Sequence, residues 1–100
     1  FTMATRKLLL IIAEAALEKN LIADAKRFGA HGYTVSDVRG ASQEGERDGE
    51  WEFSRSIEMK VICSEAVAQT LAQHLLSSYC QHYSITMFIA EGEVLRPERF

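Results

Sequence analysis

A run of five bulky apolar residues, Leu8-Leu9-Leu10-Ile11-Ile12, constrains the fold of this chain more than any other feature. A half-exposed strand or an amphipathic helix would interrupt such a run with polar residues. An unbroken run is typical of a central strand that is buried on both faces. It is also much shorter than the roughly twenty apolar residues that cross a bilayer. The run therefore predicts the centre of a sheet.

Length and composition limit what can surround this strand. The chain has 100 residues, of which 47% are apolar, and its net charge is −3. A chain of this size rarely forms two cores, so we expect one domain over residues 1–100. The acidic balance disfavours nucleic acid, whose affinity comes largely from phosphate neutralisation. Two cysteines without a signal-peptide pattern predict free thiols in the cytoplasm. We expect Met3 to be the native start and residues 1–2 to be a remnant of expression.

Periodicity divides the rest of the chain into two helices and further strands. From Leu17 the apolar residues recur every three or four positions, which predicts a helix that ends near Gly29. A second helix of about four turns begins at Ser64, a favourable N-cap. The further predicted strands are Tyr33–Val38, Ile57–Cys63 and Ile85–Ile89, with Glu93–Arg96 as a short edge strand before Pro97. This order predicts an α+β fold, a ferredoxin-like βαββαβ sandwich with an antiparallel sheet and two helices on one face.

The face of the sheet away from the helices is predicted to need a partner. Residues Leu8–Ile12 and Met87–Ala90 are apolar at nearly every position, which is unusual for a solvated face. We therefore expect association of several copies through this face. Oligomers of this fold are often trimers, so a homotrimer is the predicted assembly.

Residues 40–54 form the most unusual stretch of the sequence. From Gly40 to Glu52 there are three glycines and five carboxylates against a single base, Arg47. Nothing in this stretch can build a core, so we predict a flexible loop, and loops of this length in small domains are usually functional. Trp51 either docks this loop on the body of the protein or anchors a partner.

No group of residues has the spacing of a catalytic site. Cys63 alternates with core positions of a strand and is predicted to be a packed thiol. Glu14 and Glu18, one helical turn apart, fit a solvated helix face better than an acid/base pair. His74 falls on the polar side of the second helix and is predicted to be solvated. The spacing of a four-ligand metal site is also missing from the candidate ligands, which are Cys80, His82, His74 and His31.

The segment Gly32-Tyr33-Thr34-Val35-Ser36-Asp37-Val38-Arg39-Gly40 is more specific. It resembles the second strand of the PII signalling family, whose members carry G-x-T-V-x-x-V-[KR]-G at this place. The match continues through Phe28-Gly29-Ala30-His31-Gly32 at the end of the first helix. The element order, with residues 40–54 in the place of the family's T-loop, extends the resemblance to nearly the whole chain.

The resemblance implies a trimer that binds adenine nucleotides in the clefts between its subunits. It implies that Thr34 and residues 61–63 lie near the base, and that Arg39 and Arg96 neutralise phosphate. A glycine-rich turn whose main-chain N–H groups face an anion agrees with this role. The nucleotide-binding residues that the resemblance implies are Thr34, Arg39, Gly40, Ala41, Ser42, Arg47, Val61, Ile62, Cys63, Arg96 and Arg99.

Departures from the family pattern indicate a subgroup. Residues 79–84 take the place of the family's glycine-rich B-loop, but they contain no glycine and no phosphate-binding lysine. This resembles the PII-like proteins of bicarbonate metabolism, the SbtB-like and carboxysome-associated groups. The resemblance implies AMP, ADP or cyclic AMP as ligands, with bicarbonate as a further one. The implied partner of residues 40–54 is a bicarbonate transporter or a carboxysome component.

We therefore predict a sensor without catalytic activity, metal or required cofactor, in which ligand binding orders residues 40–54. Two alternatives stay open at the level of sequence. One is a CutA-like trimer with a metal-tolerance or structural role, which would bind divalent copper through Cys and His. The other is an ACT-like module or a dimeric α/β-barrel monooxygenase-type protein, which would bind an amino acid or small aromatic molecule. Those folds lack the segment Gly32–Gly40 followed by a long acidic loop.

Overall fold

The structure is a computed structural model that describes residues 2–40 and 55–100. Its elements in chain order are β1 (Met3–Glu14), a 3-10 turn (Ala15–Leu17), α1 (Glu18–Arg27), β2 (Thr34–Val38), β3 (Ser56–Cys63), α2 (Glu65–Ser78), β4 (Ile85–Leu95) and a second 3-10 turn (Pro97–Arg99). The predicted order of strands and helices is confirmed. The predictions for Ala41, Ser42, Arg47 and Trp51 lie outside the described residues.

The four strands form one sheet in the order β2-β3-β1-β4, and every neighbouring pair is antiparallel. β1 and β3 are central, with β2 and β4 at the edges. This arrangement confirms the predicted ferredoxin-like sandwich. The prediction of a separate edge strand over Glu93–Arg96 is wrong, because β4 runs without a break from Ile85 to Leu95. It can do so because β1 itself extends back to Met3, which pairs with Leu95.

The core lies between the sheet and the two helices. Successive side chains of a strand point to opposite faces, and here the odd-numbered positions face the helices. The buried hydrophobic residues are Leu9, Ile11, Ala13, Leu17, Leu21, Ala25, Ile57, Met59, Val61, Cys63, Ala68, Leu71 and Leu75. The buried Cys63 confirms the predicted packed thiol, and burial raises the pKa of this thiol. Both cysteines are free.

The even-numbered positions of the strands form the other side of the sheet, which we call the open face. Leu8, Leu10 and Ile12 are only half-buried there. The prediction that this run is buried on both faces therefore does not hold within one chain, because no element of the described residues covers the open face. Phe88, which pairs with Leu10 on that face, is 52% exposed.

Local signals fix the ends of both helices. Ser64 is the N-cap of α2, since its Oγ accepts a hydrogen bond from the N–H of Val67 at 3.2 Å. Gly29 follows α1 with φ of +99°, in the left-handed region that glycine adopts without strain. The N–H of Ala30 donates to the carbonyl of Ala25, which completes a Schellman-type cap. No helix in residues 2–40 and 55–100 combines the length and apolar character needed to span a bilayer.

A polar cluster joins the two helices. Asp24 of α1 is only 9% exposed, and its Oδ2 accepts a hydrogen bond of 2.7 Å from the hydroxyl of Tyr79, the residue that caps α2. His74 Nε2 lies 3.3 Å from the same oxygen, and the ring of His74 contacts Phe28 with 4.9 Å between centroids. The prediction that His74 is solvated is therefore wrong. The face of α2 that carries His74 packs against α1 through Asp24.

Leu75 and its neighbour Leu76 give a matched test of the core. Leu75 is fully buried, whereas Leu76 is 50% exposed. Leu75→Ala should lower the free energy of unfolding by about 2–5 kcal/mol, because it leaves a cavity that the core cannot fill. Leu76→Ala should change it by less than about 0.5 kcal/mol. Urea denaturation at one fixed protomer concentration measures both. Equal losses for the two variants would contradict the described orientation of α2.

The cluster predicts a stability change at high pH. Burial, together with the hydrogen bond to Asp24, raises the pKa of Tyr79 to about 12. An unfolded tyrosine ionises near pH ~10, so the contribution to stability is complete below about pH 10 and is lost as the pH rises through about 12. The free energy of unfolding should therefore fall more steeply between about pH 9 and 11.5 in the wild type than in Tyr79→Phe. If the free energy of unfolding falls equally with pH in the two proteins, ionisation of Tyr79 does not contribute to the loss of stability.

Candidate functional site

A cavity of about 460 Å³ lies at the end of the sheet where the chain leaves β2 and enters β3. Its volume is within the range of about 300–1,000 Å³ that is usual for small-molecule sites. All four strands contribute residues to the wall. The lining residues are Ile12, Ala13, Glu14, Val38, Arg39, Gly40, Ser56, Glu58, Ser84 and Thr86.

The register of the sheet brings these residues together. Ile12 of β1 pairs with Glu58 of β3 on one side and with Thr86 of β4 on the other. One row further, Ser56 pairs with both Glu14 and Val38. Cross-strand partners share a face of the sheet, and these are even-numbered positions, so most of the cavity wall belongs to the open face.

The wall contains apolar, acidic and basic residues at different places. Ile12 and Val38 provide an apolar floor suited to a flat ring. Glu14 and Glu58 provide carboxylates, which accept hydrogen bonds from hydroxyl or amino groups and repel phosphate. Among the described residues of the lining, Arg39 is the only base, and it is followed by the main chain of Gly40. The cavity can therefore hold a polar ring compound inside it and an anion at the edge formed by Arg39.

Glu14 was wrongly predicted to lie on a helix with Glu18. It is the last residue of β1, and its Oε2 accepts a hydrogen bond of 3.3 Å from the N–H of Ser84. The error arose because apolar periodicity does not show where a strand ends. The cavity residues missed at the level of sequence are Ile12, Ala13, Glu14, Val38, Ser56, Glu58, Ser84 and Thr86. The alternation in β3 was a usable signal for Ser56 and Glu58.

Two of the predicted base-contacting residues lie on the open face, further along the sheet. Thr34 pairs with Lys60, and Ile62 follows Lys60 on the same face. Lys60 was not predicted. The alternation in β3 places it on the open face, and the register with β2 places it beside Thr34. Val61 and Cys63 differ from Ile62, because their side chains are buried against the helices. Only the main chain of these two residues is available to a ligand on the open face.

The predicted arginines lie at opposite ends of the sheet. Arg39 follows β2 at the end of the sheet where β1 ends with Glu14, whereas Arg96 follows Leu95, which pairs with Met3 at the other end. β1 has twelve residues. From the first of them to the last, its length is about 36 Å, since each step between neighbouring residues is roughly 3.3 Å. One chain therefore does not bring Arg39 and Arg96 to the same ligand.

The distant end of the sheet carries three arginines. Arg96 and Arg99 belong to the last turn of the chain, and Arg96 Nε lies 3.8 Å from Glu98, an exposed pair of little strength. Arg6, which was not predicted, donates to the carbonyl of Pro97 at 3.4 Å and so ties this turn to β1. In residues 2–40 and 55–100 there is no group of three His, Cys, Asp or Glu residues that could hold a metal ion.

Comparison with known proteins identifies the family. Residues 6–99 match the model of the family described as "Nitrogen regulatory protein P-II". A search of curated proteins gave no match. The chain is 36% identical to a PII-like signaling protein from Thermus thermophilus, with a TM-score of 0.85 over 100% of this chain and 99% of the other.

Two structures of CPII from Thiomonas intermedia have the same fold. The form bound to ADP, AMP and acetate is 21% identical, with a TM-score of 0.84 over 100% of this chain and 98% of CPII. The form bound to ADP and bicarbonate is 23% identical, with a TM-score of 0.84 over 99% and 97%. The family match, the Thermus relative and the βαββαβ fold together confirm the resemblance seen in residues 28–40. The chain belongs to the nitrogen regulatory protein P-II family, among its PII-like members.

Proposed function

We propose that this chain is a regulatory protein, not an enzyme, that binds ADP or AMP in clefts between the subunits of a homotrimer. Bicarbonate is proposed as a second ligand, and residues 40–54 as the segment that carries the signal to a bicarbonate transporter or carboxysome component in the cytoplasm. The observation that carries this proposal is the cavity at the root of that segment, with Arg39 and Gly40 in its wall, in a chain of the P-II family.

The cavity wall has an apolar floor, two carboxylates and one arginine, and this combination supports a nucleotide as the ligand. The apolar floor and the carboxylates of Glu14 and Glu58 suit the ring and the hydroxyl groups of a nucleoside. The same carboxylates disfavour phosphate inside the cavity, so the phosphates are placed at the edge with Arg39. CPII from Thiomonas intermedia is bound to ADP and AMP, which supports the same class of ligand here. Ala41, Ser42 and Arg47 remain proposed contributors at this edge.

The separation of the arginines supports a site shared between copies. Because Arg39 and Arg96 are at opposite ends of a strand of about 36 Å, a ligand that meets both must lie between two chains. The open face supplies a reason for association, since the exposed Phe88 lies beside the half-buried Leu8 and Leu10. In a trimer, each cavity would receive Arg96 and Arg99 from the neighbouring copy.

Bicarbonate is proposed to bind at the same edge. It is a small planar anion, and a guanidinium with nearby main-chain N–H groups is suited to bind it. Arg39 and Gly40 provide those groups. A structure of CPII contains ADP together with bicarbonate, which supports the combination. A ligand that contacts Arg39 and Gly40 shifts the conformation of the adjoining segment by its difference in affinity for the two states.

The first test compares Arg39→Ala with a matched arginine outside the cavity. The wild type should bind ADP or AMP in isothermal titration calorimetry, more tightly with bicarbonate present. Arg39→Ala should weaken binding at least about tenfold, because a charge-assisted hydrogen bond is lost. Arg55→Ala is the control, since Arg55 pairs with Asp37 at 3.0 Å and does not line the cavity. Absence of any nucleotide binding by the wild type would refute the proposed function.

The second test asks whether one site uses two chains. Arg96→Ala alone should also weaken ADP binding at least about tenfold. When Arg39→Ala and Arg96→Ala chains are unfolded together and refolded as a mixture, random trimers should regain about a quarter of the high-affinity sites, because some interfaces then carry both arginines. Each variant refolded alone is the control. No recovery in mixed trimers would show that the two arginines do not share a site.

A further inference from the structure

Tyr79 stands where α2 ends and the cavity wall begins. We call residues 79–84 the cavity turn, because this segment leads from α2 to Ser84, which lines the cavity. The carbonyl of Tyr79 accepts hydrogen bonds from the N–H groups of His82 and Tyr83, both at 3.0 Å. The path of the cavity turn is therefore built on the position of Tyr79.

The side chain of Tyr79 is held by the helix layer. Its hydroxyl donates to Asp24 Oδ2 at 2.7 Å, a short bond to the one charged residue that is buried in the described part of the chain. A buried carboxylate is stable only when it is hydrogen-bonded, so this bond is costly to break. The raised pKa of Tyr79 agrees with a hydroxyl that is shielded and hydrogen-bonded.

The other end of the cavity turn is held by Glu14, a residue of the cavity wall. The N–H of Ser84 donates to Glu14 Oε2 at 3.3 Å, and both residues line the cavity. The cavity turn is thus fixed by one carboxylate at each end, Asp24 on α1 and Glu14 at the end of β1. Glu14 ends β1, and Asp24 lies in α1, which follows after the 3-10 turn, so both attachments belong to one short stretch of the chain.

We propose that Tyr79 and Asp24 are positioning residues for the cavity: their hydrogen bond fixes the cavity turn, and through it the placement of Ser84 and Glu14 against a bound ligand. This inference rests on the proposed function only where the ligand is an adenine nucleotide, since the placement of Ser84 can be measured without ligand. Neither Tyr79 nor Asp24 lines the cavity. A tyrosine that merely ties α2 to α1 would affect stability alone.

The test compares Tyr79→Phe with Tyr83→Phe. Tyr83 lies in the same turn, with its ring 6.4 Å from that of Tyr79, and its hydroxyl has no hydrogen-bond partner in residues 2–40 and 55–100. Without ligand, amide exchange at Ser84 should be at least about threefold faster in Tyr79→Phe than in the wild type. ADP should bind about three- to tenfold more weakly in calorimetry. Tyr83→Phe should match the wild type in both measurements.

Asp24→Asn provides the conservative variant. Its amide oxygen can still accept from the Tyr79 hydroxyl, so Ser84 exchange should stay near the wild-type rate even if the global stability falls. Ser84 exchange that is unchanged in Tyr79→Phe would overturn the positioning role, whatever happens to ADP affinity. If the wild type itself binds no ADP, the proposed function fails, while the exchange rates at Ser84 still decide whether Tyr79 positions the turn.

Discussion

The pairing of β1 with both of its neighbours is the constraint on which the rest of the structure depends. β1 is apolar on both faces, so its own sequence does not decide which residues point to the helices. The strict alternation of β3, with Ile57 and Met59 inward and Glu58 and Lys60 outward, decides it. A slip of one residue would turn the charged side of β3 into the core. The same register places Glu58 and Thr86 on either side of Ile12, where the cavity forms.

The sequence was sufficient for features that depend on neighbouring residues. The cap at Ser64, the end of α1 near Gly29 and the two helix periods are local, and they were predicted correctly. Strand ends were not, since the length of β4 depends on how far β1 extends to pair with it. The cavity shows the same limit. Arg39 and Gly40 were found through a family resemblance, whereas Glu14 and Ser84 meet only after separate strands have been placed side by side.

The distribution of charge is the reason why we propose that a small acidic domain binds an anion. Glu14 and Glu58 make the inside of the cavity a poor place for phosphate, while Arg39 stands at its edge and a group of arginines stands at the distant end of β1. The end with the cavity offers only Arg39 among the described lining residues. The arrangement favours a ligand with an uncharged polar part and a small charged part, since the cavity turn adds no lysine or arginine of its own.

A sensor also needs a wall that does not yield when ligand binds. In the proposed sensor, a ligand would shift the segment after Gly40 only by the difference in its affinity for the two states, and a tenfold difference supplies about 1.4 kcal/mol. A soft wall would absorb part of this energy by adjusting to the ligand. The cavity turn is held against the helix layer by a short bond to a buried carboxylate, whereas Arg39 and Gly40 are exposed. In the proposed sensor, the root of the segment, rather than the opposite wall, is therefore the part that we expect ligand binding to move.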